Sequence, residues 1–284
     1  MPSDPTSPPP RSGFHRLWTR LVTRHLDAID AEIVLDGDSD SYLSGRERGI
    51  WVFVVGALVL IAMSYAVLQN SLQNGMADTL IRATTAVSSD LGATLRRYEE
   101  LVRMAMWTTG ALALYVLVPS LVIRVVFRER VRDYGMNARD FRKHLPLYLL
   151  FFIPVAALVL VVAASPEFQA KYPFYKEPKG PADFLVWEFL YIIQFFSLEF
   201  FFRGFLVHGL KQRLGSLAAF AMVAPYVMIH FNKPLYETIG AVVAGSVLGL
   251  LSLRTGSIAG GVAIHGAVAV MMDLAAMAHR GFPW

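Results

Sequence analysis

Residues 50–68 and 145–164 each run without a single charged side chain. A helix needs about 20 predominantly apolar residues to cross the hydrocarbon core of a bilayer. Residues 106–126 form a third apolar block, with Arg124 near its end, and residues 182–202 a fourth, although this one holds Asp183, Glu188 and Glu199. Residues 217–229 are shorter, and 239–253 and 258–277 are apolar stretches rich in Gly and Ala. Overall 55% of residues are hydrophobic and 17% charged, against roughly 25% charged in a soluble globular domain. So apolar a chain collapses or inserts, which excludes disorder except at its ends. The pattern predicts an all-α, multi-pass transmembrane helix bundle of about seven spans, the fifth of them tilted or half-buried.

Basic residues orient such a bundle. Arg124, Arg128, Arg130, Arg132, Arg139, Arg142 and Lys143 share one loop, and Arg16, Arg20, Arg24, Arg46 and Arg48 precede the first span. Lys171, Lys176 and Lys179 on the opposite side are offset by Glu167, Glu177 and Asp183. The expectation is N-in and C-out. The absence of Cys excludes disulfides, thiolate metal sites and a Cys nucleophile. A net charge of +4 does not call for nucleic acid. The excess of Arg over Lys, 20 to 6, points to a GC-rich genome and so to a bacterial cytoplasmic membrane. Residues 1–13 are rich in Pro and Ser and are expected to be disordered; no pattern of a cleaved signal peptide follows them.

Two stretches lie outside the spans. Leu72, Met76, Leu80, Val87, Leu91, Leu95, Tyr98 and Leu101 recur at helical spacing, which predicts one helix of about 45 Å, packed on its own protein or extending a span. The segment from Asp36 to Glu47 places acids where a calcium loop has them, but Ser41 occupies the position of the sharp-turn Gly. An acidic, capped linker before the first span is the expectation there.

The ionisable residues inside the apolar blocks carry the functional signal, because charge at membrane depth is costly and by default functional. Glu199 and Arg203 are four apart and share a helix face, so they can pair, and Gly204 lets another backbone approach. His230 ends the short fifth run, and His265 sits inside the last. One carboxylate and two imidazoles from successive helices make either a general-base site or an open three-ligand zinc site, with Glu199, His230 and His265 as the ligands. Gly245, Gly249, Gly260, Gly261 and Gly266 provide close helix packing nearby. His208 falls on a different face from Glu199, Glu188 lies about 16 Å along the helix, and Asp273 reads as a span-end group. No Gly-x-Ser-x-Gly, phosphate loop or His-Glu-x-x-His is present.

The three segments, in this order, resemble the CPBP family of CAAX proteases and bacteriocin-processing enzymes. Its pattern is Glu-Glu-x-x-x-Arg, Phe-x-x-x-His and His-x-x-x-Asn, matched by Glu199 with Arg203, Tyr226 with His230, and His265 with Ala269. Arg254-Thr255-Gly256 is a further familiar feature. Three departures stand out: Phe200 replaces the second Glu, Tyr226 the Phe and Ala269 the Asn. The resemblance covers about the last 110 residues. It divides the chain into a cytoplasmic tail at 1–49, partly disordered, an N-terminal transmembrane region at 50–164 and a CPBP-like catalytic core at 165–284.

The resemblance implies an intramembrane endopeptidase in which Glu199 activates water, with His230 and His265 lining the site. Arg203 holds Glu199; Tyr226 is able to donate a hydrogen bond; Asn232 or Glu237 would stand in for the missing Asn. The implied substrate is a membrane-anchored protein or peptide in the lipid bilayer. A metal-independent glutamate mechanism needs no cofactor, and zinc is the alternative. Two rival readings remain: a catalytically inactive scaffold of the same family and, third, a proton-coupled transporter, for which inverted repeats would be needed.

Overall fold

The structure, a computed structural model, describes residues 19–36, 43–137 and 141–281. Among these residues every regular element is a helix. The Pro-rich 1–13 and most of the calcium-loop-like segment, 37–42, lie outside the described residues. The tail at 1–49 is not wholly irregular, for it contains α1, Arg24–Asp36.

Among the described residues six helices are long and apolar enough to cross a membrane: α2 (Gly45–Val67), α5 (Glu99–Phe127), α6 (Phe141–Val162), α8 (Pro181–Leu214), α10 (Leu235–Thr255) and α11 (Ala259–Arg280). A capping box starts α2, where the Ser44 hydroxyl accepts from Glu47 N and the Glu47 carboxylate accepts from Ser44 N. The outward faces stay apolar and exposed, as at Leu121, Ile153, Leu160 and Val161, while α6 buries only Tyr148 and Val159. Such faces suit a solvent of acyl chains.

The seventh expected span is α9, Leu217–Met228. Its length of about 18 Å falls short of the roughly 30 Å hydrocarbon core. The turn that follows and the start of α10 nevertheless meet the segment after α6, which includes α7 (Pro166–Lys171): Lys171 Nζ donates to Asn232 O at 3.4 Å, and the Tyr172 hydroxyl donates to Glu237 at 2.9 Å. The helix α9 and this turn together carry the chain from one end of the bundle towards the other. Close packing holds α9 against α10. A Cβ on Gly249 would lie 2.9 Å from the Ala219 Cβ, and one on Gly245 3.1 Å from the Tyr226 ring, so the small-residue spacing serves backbone approach.

The single 45 Å helix expected over 72–101 is corrected by the structure. It is a hairpin of α3 (Asn70–Val87) and α4 (Ser89–Arg97). Ser88 turns extended, at φ −151° and ψ 117°, and its hydroxyl caps α4 by accepting from Leu91 N. Folding back lets Gly92 lie directly on Thr85 and brings Arg96 within 2.8 Å of Asp78. Ala77 and Ile81 face the protein, whereas Leu72, Met76, Leu80, Val87 and Leu91 are exposed.

The loop between α5 and α6 braces the centre. Arg48 of α2 pairs with Glu129, which also accepts from the Tyr134 hydroxyl at 2.6 Å. The Tyr134 carbonyl lies against Gly204, where a Cβ would come within 2.8 Å, and Gly135 O accepts from Ile258 N at 2.9 Å. This loop thus contacts both α8 and the start of α11. From the other side Asp30 of α1 accepts from Ser216 N and its hydroxyl, at 2.5 and 3.0 Å, just before α9.

Replacing Gly249 by Leu is expected to destabilise the protein by about 1–3 kcal/mol through overpacking, read as a lower unfolding temperature in detergent. Gly240→Ala, with no atom within 4 Å of the new Cβ, is expected to be neutral or stabilising by up to about 1 kcal/mol, because Ala is the better helix former.

Candidate active site

Glu199 ends the regular α-helical part of α8, and Phe200–His208 continues it with π-helical hydrogen bonding. Similar wide turns occur in α2, at Met63–Val67, and in α5, at Leu112–Leu117 and Val122–Phe127. All nine residues of the wide stretch are buried. Phe201 stacks on Tyr115 at 4.7 Å, and Phe202 meets the Tyr226 ring edge-on at 5.2 Å. Phe200, at the position of the family's second Glu, is itself part of this apolar core.

Within that core the Glu199 and Arg203 side chains are both 0% exposed, with Nη1 3.1 Å from Oε1. The guanidinium makes no hydrogen bond; its charge rests on the carboxylate and on the face of Tyr226, 4.1 Å from Cζ to the ring centroid. The pairing expected from spacing is therefore present, in a setting where each charge needs the other.

His265 completes the constellation from α11. Its Nδ1 lies 2.5 Å from Glu199 Oε1, and its Nε2 lies 2.9 Å from the Tyr226 hydroxyl. An ionised carboxylate only accepts, so Nδ1 carries the proton and donates it. The Nε2 of the neutral ring is then an acceptor, and Tyr226 is the donor. Phe195 stacks on the imidazole at 5.5 Å and 25°. The His265 side chain is 14% exposed against 0% for Glu199, so the imidazole is the member of the pair that reaches open space. The other carboxylate oxygen, Oε2, is buried without a hydrogen-bond partner against Gly261, where a Cβ would come within 2.1 Å.

His230 joins through Tyr226 and not through Glu199. Its Nδ1 donates to Tyr226 O at 2.8 Å, and the two rings lie 4.7 Å apart. The two histidines thus flank one tyrosine.

Among the described residues no three His, Cys, Asp or Glu side chains gather as a group that could hold a metal ion. Glu199 meets His265 directly, whereas His230 reaches this pair only through Tyr226.

The remaining sequence candidates are engaged elsewhere. Asn232 is exposed, and its carbonyl accepts from Lys171. Glu237 pairs with Lys233 at 3.0 Å and accepts from Tyr172. Both bracket the His230 turn without joining the Glu199–His265 pair. Ala269, one helical turn beyond His265, is buried among Tyr175, Phe184, Trp187, Tyr191 and Met277. His208 is bonded to Ser252 at 3.0 Å, away from the pair as expected. Asp273 corrects its reading as a span-end group: it is 0% exposed and accepts from Trp187 Nε1 at 2.9 Å and Phe174 N at 3.1 Å. Glu188 is buried with neither oxygen hydrogen-bonded. Sequence reasoning missed Phe195 and the contact of Gly261 with the carboxylate; the Gly260-Gly261 pair beside His265 was the available signal.

A multi-pass helical membrane protein with a carboxylate–imidazole pair sealed inside its last helices is the class that fold and site define. Residues 180–271 match the family model described as type II CAAX prenyl endopeptidase Rce1-like, which is the CPBP family. This stretch, which contains Glu199, His230 and His265, is similar to that family, and the match supports a membrane endopeptidase in general. No curated protein and no solved structure matches the chain.

Gly261→Ala drives a methyl group into the space of Glu199 Oε2. The expected result is a folded protein, destabilised by about 1–3 kcal/mol, whose His265 ring-nitrogen NMR signals shift as the bond to Glu199 breaks. Unchanged signals would contradict the geometry.

Proposed function

We propose that this protein is an intramembrane endopeptidase that hydrolyses peptide bonds of membrane-anchored proteins or peptides, with the Glu199–His265 pair as its general base. The observation that carries the reading is the 2.5 Å hydrogen bond from His265 to a carboxylate with no exposed surface. A buried carboxylate behind an imidazole fixes the tautomer and stabilises the imidazolium that forms when the ring takes a proton. The attacking water takes the place of the Tyr226 hydroxyl on Nε2 of His265 and gives that nitrogen a proton as its oxygen adds to the scissile carbonyl carbon. The C–N bond then breaks as that proton passes to the leaving nitrogen. Glu199 acts through His265 in this scheme and does not touch the water itself, and Arg203 keeps it ionised. His230, with Nδ1 given to the Tyr226 carbonyl, turns its Nε2 to the water and orients it.

No step requires a metal. The Arg-rich loop after α5 favours N-in and C-out, with substrates that are held in the bilayer by a lipid or an apolar segment.

A second reading, a non-catalytic scaffold of the same family, draws on Phe200 and Ala269, both buried in apolar surroundings where the family pattern has polar groups. The test separates the two. Full-length protein in liposomes is offered membrane-anchored peptides, and Glu199→Gln and His265→Ala are each expected to lower cleavage about 100-fold or more. A chelator is expected to leave wild-type cleavage unchanged. Cleavage that survives Glu199→Gln would contradict the chemistry, and partner capture without cleavage by any variant would favour the scaffold.

A further inference from the structure

The described residues of the N-terminal half leave one apolar surface open. Leu72, Met76 and Leu80, at successive turns of α3, are 44%, 57% and 46% exposed. They continue a stripe that α2 begins with Leu58, Ile61, Tyr65 and Leu68, all exposed as well. We propose that the α3–α4 hairpin is a lipid-docking element. The apolar face of α3 lies among the acyl chains of one leaflet, and a cluster of ion pairs at the start of α5 lies among the headgroups.

Contacts with the spanning helices fix the depth at which α3 begins. The end of α2 packs well inside α5, for a Cβ on Gly110 would lie 2.7 Å from the Val67 side chain. Gly110 is eleven residues past Glu99, about 16 Å along the helix. Close to that level Thr108 donates to Leu190 O at 3.4 Å, and Trp107 stacks on Trp187 at 6.2 Å. Val186 and Phe189, beside these residues on α8, are exposed apolar groups of a spanning helix. The chain therefore leaves α2 at a depth where α8 already faces lipid. The Gln73 side chain donates to Val67 O and pins the corner there. Beyond it, Leu72, Gly75, Met76, Thr79 and Leu80 line an open groove that Met106 of α5 also lines. Nearer the start of α5, Asp78, Arg96, Glu99 and Arg103 form the ion-paired cluster, at 2.8 to 3.0 Å.

The faces of α3 divide to match. Ala77 and Ile81 are buried against the protein, and Arg82 is exposed about 120° round the helix from Met76. Residues 70–103 hold four Arg and four acidic side chains, so the hairpin has no net charge with which to select anionic headgroups. Its hold on the bilayer comes from apolar burial and from the two spans to which it is tied. Within lipid a second protein gains no hydrophobic driving force from covering this face.

The chain contains no Cys, so single-Cys variants of the full-length protein accept one NBD fluorophore each. Met76→Cys, Leu80→Cys and Arg82→Cys are labelled and reconstituted in phosphatidylcholine liposomes, with and without phosphatidylcholine that bears a nitroxide high on its acyl chain. All three side chains are exposed, so the labelled proteins are expected to unfold at the wild-type temperature, which is measured first. At Met76 and Leu80 the emission is expected to shift to the blue and to lose intensity when the nitroxide lipid is present. At Arg82 it is expected to stay close to its value in water, with weaker quenching. Replacing part of the phosphatidylcholine by phosphatidylglycerol is expected to leave this pattern unchanged. A water-like, unquenched signal at both apolar positions overturns the proposal. A blue but unquenched signal there shows cover by protein, a second copy included, and overturns it as well. Quenching at Arg82 equal to that at Met76, or a response that needs the anionic lipid, also overturns it.

Discussion

The placement of one ionised carboxylate where water does not reach is the constraint on which the rest of this molecule depends. An isolated carboxylate in a low-dielectric interior carries a large desolvation penalty and would take up a proton. Glu199 is met there by Arg203, one helical turn away, and by the imidazole of His265. Removing one member of such a buried set costs about 3–5 kcal/mol, because the other charge is left without a partner. The arrangement is therefore both a site and a structural commitment. Arg203 in turn depends on the Tyr226 face, and Tyr226 on the close approach of α9 to α10 at Gly245.

The backbone around this set is shaped to bring it together. The π-helical turns after Glu199 carry α8 past Tyr134, and Gly204 lets the Tyr134 carbonyl come close. Gly261 does the same for α11 against the carboxylate. The N-terminal half takes part through the Arg48–Glu129–Tyr134 network and through Asp30, which caps the turn into α9. Whatever its own activities, that half braces the helices that carry Glu199, Tyr226 and His265.

Much of this was legible in the sequence, and the reasons for the rest are physical. Long uncharged runs identify spanning helices without ambiguity, since lipid tolerates little else. The i, i+4 spacing of Glu199 and Arg203 announced their pairing. The break at Ser88 was hidden because the apolar residues on either side of it keep helical spacing, and only the capping hydroxyl marks the fold-back. The π-helical stretch was hidden for a related reason: a segment buried on every side has no amphipathic phase from which to measure residues per turn. Asn232 and Glu237 looked like stand-ins for a missing donor because they are neighbours of His230 in the chain. Tyr172 and Lys171, some sixty residues away, claim that turn, and no local pattern reports them. Asp273 was misjudged in the same way, its partners Trp187 and Phe174 being contributed by distant parts of the chain.

The central claim is that the Glu199–His265 pair hydrolyses a peptide bond with water at membrane depth. The most direct measurement is cleavage of a membrane-anchored peptide by the reconstituted full-length protein in ¹⁸O-labelled water, followed by mass spectrometry of the products. The expected result is one ¹⁸O atom in the new carboxyl terminus made by the wild type and no such product from Glu199→Gln. Equal labelled product from wild type and Glu199→Gln would contradict it.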